Sequence, residues 1–174
     1  MKILLHICCA PCAIHPFKEL FRKSENSVTG FFYNPNIHPA DEEEKRRSAV
    51  IDYAKMEDFK VIFGEYNEKE FFDKVGTEQA VPSRCRICWR MRLEKTAEIA
   101  KKEQFNAFTT TLLVSPYQDQ YAIKEIGAEC GARFGVRFLG LDFREGFRAA
   151  QVEAKKLGLY RQNYCGCLYS RNRR

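Results

Sequence analysis

Two cysteine pairs, Cys8-Cys9 and Cys85-Arg86-Ile87-Cys88, carry the strongest chemical signal in this chain. A CxxC at the start of a helix brings two sulfurs to one side of a turn, where both reach a single metal. Adjacent cysteines at a strand end also serve one centre, because the chain leaves the pleat there. Together the pairs supply four thiolates, the complement of an iron-sulfur cluster or a structural zinc. A third pair, Cys165-Gly166-Cys167, closes only a small strained ring as a disulfide, and strained disulfides are the ones that cycle. Redox pair, metal ligands and plain thiols all stay open for it. Cys12 lies one helical turn beyond Cys9, open between packing and a place at or beside the metal. Cys130 falls on the apolar stripe of a helix, where cysteine acts as a small hydrophobe.

Other side chains add less specific signals. Asp142 follows a strand candidate and reads as a helix cap or a metal ligand. His6, inside the first strand, reads as a satisfied core histidine. Asn34 and His38, in the loop after the second strand, are candidate substrate contacts. Arg84, Arg86, Trp89, Arg90 and Arg92 surround the CxxC. Cations beside a stacking ring suit the phosphates and extruded base of a nucleotide, which places Arg84, Trp89 and Arg90 in the candidate substrate set; a solvated helix face explains the arginines equally well. No serine-histidine-acid arrangement and no histidine-rich zinc hydrolase pattern is evident.

Elements that alternate strand and helix must position these groups. Apolar runs predict strands at Lys2 to Ile7, Val28 to Tyr33, Lys60 to Phe63, Ala107 to Thr111 and Val136 to Leu139. Helical spacing falls between them, from Pro11 to about Arg22, Glu42 to Met56, Cys88 to Lys102 and Tyr121 to Phe134. The expectation is one α/β domain over 1–174, a mainly parallel sheet flanked by helices, with 67–83 as an irregular segment or lid. In such sheets the ligand crevice lies beyond the carboxyl ends of the strands. Nucleotide-binding members put glycines after the first strand to cradle phosphate. Here Cys8, Cys9, Ala10, Pro11 and Cys12 stand there, and the first glycine is Gly30.

The chain has 174 residues, 45% of them hydrophobic, and no apolar run near the roughly 18 to 20 residues of a membrane span. The opening MKILLHICCA lacks the pattern of a secretory signal, so a soluble protein of the reducing cytoplasm is expected. Eight cysteines there point to metal or redox work rather than a disulfide framework. The balance of 29 Lys+Arg against 23 Asp+Glu, with a basic tail at Arg171 to Arg174, suits a polyanionic partner such as nucleic acid.

Six segments then carry a resemblance: LLHICCAPC at 4 to 12, FFYNPNIHP at 31 to 39, RCRICW at 84 to 89, FTTTLLVSPY at 108 to 117, DFR at 142 to 144 and GLYRQNYCGCLYS at 158 to 170. On these the chain resembles the epoxyqueuosine reductases of the QueH type, metal-dependent and free of cobalamin, which complete queuosine synthesis in tRNA. The resemblance implies a fold similar to the nucleotide α-hydrolase-like (HUP, PP-loop-like) proteins. It further implies a 4Fe-4S cluster on Cys8, Cys9, Cys85 and Cys88, a redox-active pair at Cys165 and Cys167, and a tRNA substrate with a queuosine-type anticodon loop. An additional iron beside the cluster belongs to the same expectation, with Asp142 and Cys12 as candidates for its surroundings. The electron donor is left unnamed.

The chemistry is demanding. Turning an epoxide into an alkene takes two electrons and two protons and releases water, whereas one 4Fe-4S cluster ordinarily passes one electron at a time. A neighbouring iron or the Cys165/Cys167 pair would complete the count. Two other classes compete with this reading: a structural-zinc RNA-binding module, and a tRNA sulfur transferase of related fold. The second would activate its base with ATP, for which the glycine-rich pyrophosphate loop is missing.

Overall fold

The computed structural model describes residues 1–22 and 25–171, so positions 172–174 of the basic tail lie outside the described residues. The first apolar run forms β1 (Lys2–Ile7), whose Ile3, Leu4, Leu5 and Ile7 are fully buried. A strand that is apolar at successive positions needs cover on both faces, the condition of a central parallel strand. It pairs in parallel with β2 (Ser27–Phe32) on one side and β4 (Ala107–Thr110) on the other. With β3 (Val61–Phe63) and β5 (Arg137–Phe138) the sheet has the order β3-β2-β1-β4-β5, parallel at every pairing.

That order fixes where the helices go. From β1 to β3 the chain steps one way, and from β3 through β4 to β5 it steps back. Right-handed crossovers therefore put α1 (Ala10–Phe21) and α2 (Ala40–Met56) on one face and α4 (Ser83–Lys102) and α5 (Gln120–Phe134) on the other. The packing agrees, since α1 meets α2 and the later α6 (Phe147–Lys156), while α4 meets α5. Gly127 lets α5 come close to the sheet, because a Cβ there would stand 2.4 Å from the Phe138 ring. The direction of travel reverses at β1 and β4. Their carboxyl ends, Ile7 and Thr110, open the crevice of such a fold.

All five strands and four helices expected from the sequence are present, with ends displaced by a few residues. The segment 67–83 is more ordered than its composition suggests. It holds α3 (Glu68–Val75), started by the Asn67 side chain accepting from the Lys69 amide, and Phe71 and Val75 are buried in a small cluster with Cys88, Met91 and Cys167. The segment backs the cysteines. Besides α3, two helices went unread in the sequence, α6 and the short α7 (Leu168–Arg171). No helix among the described residues is long and apolar enough to cross a membrane.

Candidate metal centre

The end of β1 delivers the first cysteines. Cys9 is extended, α1 begins at Ala10 with Pro11 in its opening turn, and Cys12 comes up one turn later. The sulfurs of Cys8, Cys9 and Cys12 all lie within 4.8 Å of one another, those of Cys8 and Cys9 at 3.8 Å. Thr111, where β4 runs into a 3-10 turn, holds this group from the neighbouring strand. Its hydroxyl accepts from the Cys8 amide at 3.0 Å and donates to the Cys8 sulfur at 3.2 Å. Hydrogen bonds from Cys12 and Cys9, with that of Thr111, hold the Cys8 thiol well below its ordinary pKa. Burial pushes the Cys9 thiol up, and the proton that Cys12 shares with Cys8 and Cys9 raises its own.

The other sulfurs arrive from two directions. Cys85 and Cys88 stand three residues apart in the first turns of α4, on one side of the helix. Cys88 is buried, which pushes its thiol up to about 12. The segment after α6 returns across the N-terminus of α2 and brings in Cys165, exposed, and Cys167, buried. Together Cys8, Cys12, Cys85, Cys88, Cys165 and Cys167 line one crevice of about 340 Å³, with Cys9 buried beside Cys8. The volume falls in the range of small-ligand sites. Cys130, by contrast, is buried in α5 as part of the core.

Two buried arginines dominate the electrostatics: Arg46, which the sequence did not single out, and Arg92, named there only as one of the cations around the CxxC. Arg46, only 2% exposed, donates from Nε to Glu42 at 2.7 Å, from Nη1 to the Cys165 carbonyl at 3.2 Å and from Nη2 to the Tyr164 carbonyl at 3.1 Å. It fastens the C-terminal loop over the crevice. Tyr160 adds its hydroxyl to the second Glu42 oxygen at 2.6 Å, while the His38 amide donates to the Gly166 carbonyl at 2.8 Å. Gly166 has φ +111°, and a Cβ there would stand 2.9 Å from Ile37 Cγ1. Only glycine passes that point. Arg92, also buried, donates to the Cys88 carbonyl at 3.2 Å and pairs with no carboxylate among the described residues. A buried guanidinium without a carboxylate is costly unless the neighbouring sulfurs carry the negative charge.

Several expected contacts fall elsewhere. Trp89 is 6% exposed, part of the main hydrophobic cluster, and gives its Nε1 hydrogen to Gln118 at 2.9 Å, so it offers no ring for stacking. Arg90 leans away along α4 to pair with Glu129 on α5 at 2.5 Å, outside the crevice lining. Arg84 does line the crevice, but it is buried, donating to the Gln79 carbonyl at 2.6 Å with its guanidinium 5.2 Å from the Tyr169 ring centre. Asn34 secures the end of β1 through Nδ2 to the Ile7 carbonyl at 2.9 Å, and its neighbour Asn36 reaches the crevice instead. The His38 ring packs on Phe71 and Phe72 rather than on the crevice. Asp142 is exposed and gripped by Arg144 two residues on, at 2.5 to 3.1 Å, which holds its carboxyl down to about 2. It caps a turn and is not among the residues that line the crevice. His6 is the core histidine expected, its Nδ1 2.9 Å from Thr110 Oγ1 and its Nε2 3.2 Å from the Tyr33 carbonyl.

Comparison with known proteins bears on this arrangement. The family model described as "Epoxyqueuosine reductase QueH" matches residues 3–173. The chain belongs to the QueH family. Its relatives include proteins named epoxyqueuosine reductase QueH in Thermotoga maritima, 38% identical over 97% of this chain and 89% of that one, and in Dehalococcoides mccartyi, 38% identical over 97% and 92%. A third, from Haemophilus influenzae, is 36% identical over 97% of this chain and 71% of its own. Among solved structures this QueH-family chain is similar to the U34-tRNA thiolase NcsA from Methanococcus maripaludis with its [4Fe-4S] cluster. The TM-score is 0.64 at 12% identity, covering 98% of this chain and 61% of the thiolase. A predicted tRNA methyltransferase subunit from Methanocaldococcus jannaschii gives 0.54 at 10%, over 89% and 74%. At such identities the likeness is one of fold, and it agrees with the PP-loop-like architecture expected for the QueH family.

Proposed function

We propose that this chain reduces epoxyqueuosine to queuosine in tRNA, by two-electron removal of the epoxide oxygen beside an iron-sulfur centre. The observation that carries the reading is the convergence of six thiols and the buried, carboxylate-free Arg92 on one crevice at the switch point of the sheet. The donor set fits a 4Fe-4S cluster. Soft thiolates and a buried cation that offsets net negative charge are what such a centre needs. Cys8, Cys9, Cys85 and Cys88 would hold it, with the Cys12 sulfur beside the first two. When bound, the cluster supplies electrons singly and a Lewis-acidic edge.

The chain's own residues do the rest. The flipped nucleotide enters a crevice whose wall includes the buried Cys12, Asn36, Cys88 and Arg92, while phosphates meet cations outside it. Arg148 and Arg161 are exposed, follow or precede crevice residues Phe147 and Gln162, and pair with no carboxylate among the described residues. Cys165 and Cys167 supply the reducing equivalents: two thiols become one S–S bond, giving up two electrons and two protons. Those convert the epoxide to an alkene and one water, so atoms and charge balance. An external reductant resets the pair.

The Cys165→Ser/Cys167→Ser double variant separates this role from cluster binding. It is expected to keep the iron, sulfide and visible absorbance of the parent while losing epoxide turnover. Thiol counts taken after reduction and after oxidation should differ by two in the parent and by none in the variant. Loss of iron from the double variant would make the pair metal ligands, and full turnover would make both thiols bystanders. Colourless protein with tightly held zinc would favour the structural module.

A further inference from the structure

The loop that follows β2 is pinned on every side. Asn34 donates to the Ile7 carbonyl at 2.9 Å, Tyr66 to the Ile37 carbonyl at 2.7 Å and Tyr164 to the His38 carbonyl at 2.5 Å; the Ile37 amide closes a turn on Asn34 at 3.1 Å. The loop also keeps Asn34 Oδ1 and both ring nitrogens of His38 buried without a partner, but neither residue lines the crevice. Asn36 is the exception on the crevice side. Its side chain is 2% exposed and lines the crevice, and its Oδ1 is buried without a hydrogen-bond partner among the described residues. Leaving such an acceptor unpaired costs about 1–3 kcal/mol, and of the unpaired groups in this loop only that of Asn36 belongs to a residue lining a cavity, where a ligand can satisfy it.

The rest of the lining says what kind of partner the acceptor awaits. Gln118, Gln151 and Gln162 share the crevice with Asn36, and the Oε1 of Gln162 is likewise buried and unpaired, although its Nε2 donates to the Cys9 sulfur at 2.7 Å. Carboxamides are neutral and present donor and acceptor side by side, the geometry that matches the edge of a nucleobase. A phosphate or carboxylate would call for free cations instead. Arg46 is committed to Glu42 and two carbonyls, Arg84 to a carbonyl and an aromatic ring, and Arg92 to the Cys88 carbonyl beside the sulfurs.

We infer that Asn36 is a specificity-determining residue that hydrogen-bonds the edge of the flipped nucleobase and so turns it toward the sulfurs. The assignment rests on the reading of the crevice as a base-binding site, and it goes further by naming the group that reads the base. Because the acceptor is fixed before the base arrives, no ordering cost is added on binding. Docking through the phosphates does not involve it.

The test compares two synthetic RNA hairpins, one carrying queuosine and one carrying an abasic sugar at the same position, titrated against the anaerobically purified full chain. The parent is expected to prefer the base-bearing hairpin. Asn36→Ala and the volume-matched Asn36→Leu are each expected to lower that preference about tenfold, with unchanged affinity for the abasic hairpin and unchanged melting temperature. A preference that survives in both variants overturns the assignment. So does an equal loss on both hairpins, which would mark a structural role. A parent that fails to distinguish the hairpins overturns the base-in-crevice reading itself, and the assignment with it.

Discussion

Cys8→Ser is expected to strip the protein of iron and sulfide and with them all epoxide turnover. No other sulfur is placed as Cys8 is, with its amide and its Sγ both bonded to Thr111 and its thiol held low by Cys12 and Cys9. Serine would keep its proton at neutral pH, and its oxygen is a poor donor to iron where a soft thiolate is needed. Residues that merely orient metal ligands change affinity about 10- to 100-fold when removed, so loss of a ligand should exceed that. Iron and sulfide analysis of the anaerobic variant checks it. A content equal to the parent's would take Cys8 out of the ligand set and return the trio to packing.

Arg46→Ala is expected to be the most damaging substitution for stability outside the core. It leaves Glu42 buried and uncompensated and removes the donors to two loop carbonyls, a loss of about 3–5 kcal/mol by the behaviour of broken buried ion pairs. It also frees the loop that carries Cys165 and Cys167, so turnover should fall further than the lost stability alone accounts for. Chemical denaturation of parent and variant gives the first quantity. A change below about 1 kcal/mol, the range of exposed pairs, would show that the loop is held by other means. Arg46→Lys should recover little, since one ammonium cannot reproduce the three-way fork.

The fold was legible because each strand is a short apolar run and the long helices repeat at helical spacing. The run Ile3 to Ile7 could belong to little else than a central parallel strand, and the glycine-free turn after it located the sulfurs. α6 escaped notice since only Ala150 and Ala154 of its residues are fully buried, a stripe too small to register among its charges. α3 was hidden by its length of eight residues and by the surrounding Gly and Pro.

The site was legible only where chemistry is local. Cysteine spacing marked the sulfurs, but nothing adjacent to Arg46 reveals that its other partners lie 118 and 119 positions away. Its i, i+4 spacing from Glu42 was the one available sign, and on most helices that spacing describes a surface pair. Trp89 and Arg90 failed for the opposite reason. Adjacent to the CxxC in sequence, they lie on α4 turned toward the core and toward α5. Of the two readings open for Asp142, cap and ligand, the structure shows the cap, with Arg144 two residues later satisfying it locally.

The central claim is that this crevice takes an epoxide-bearing nucleotide in tRNA and removes one oxygen atom from it. The most direct measurement incubates the anaerobically purified, chemically reduced protein with epoxyqueuosine-bearing tRNA, digests the RNA and weighs the nucleoside. The expected product is lighter by one oxygen, formed by brown iron-containing protein and not by the Cys8→Ser variant. Unchanged epoxyqueuosine after incubation with protein of full iron and sulfide content would contradict it.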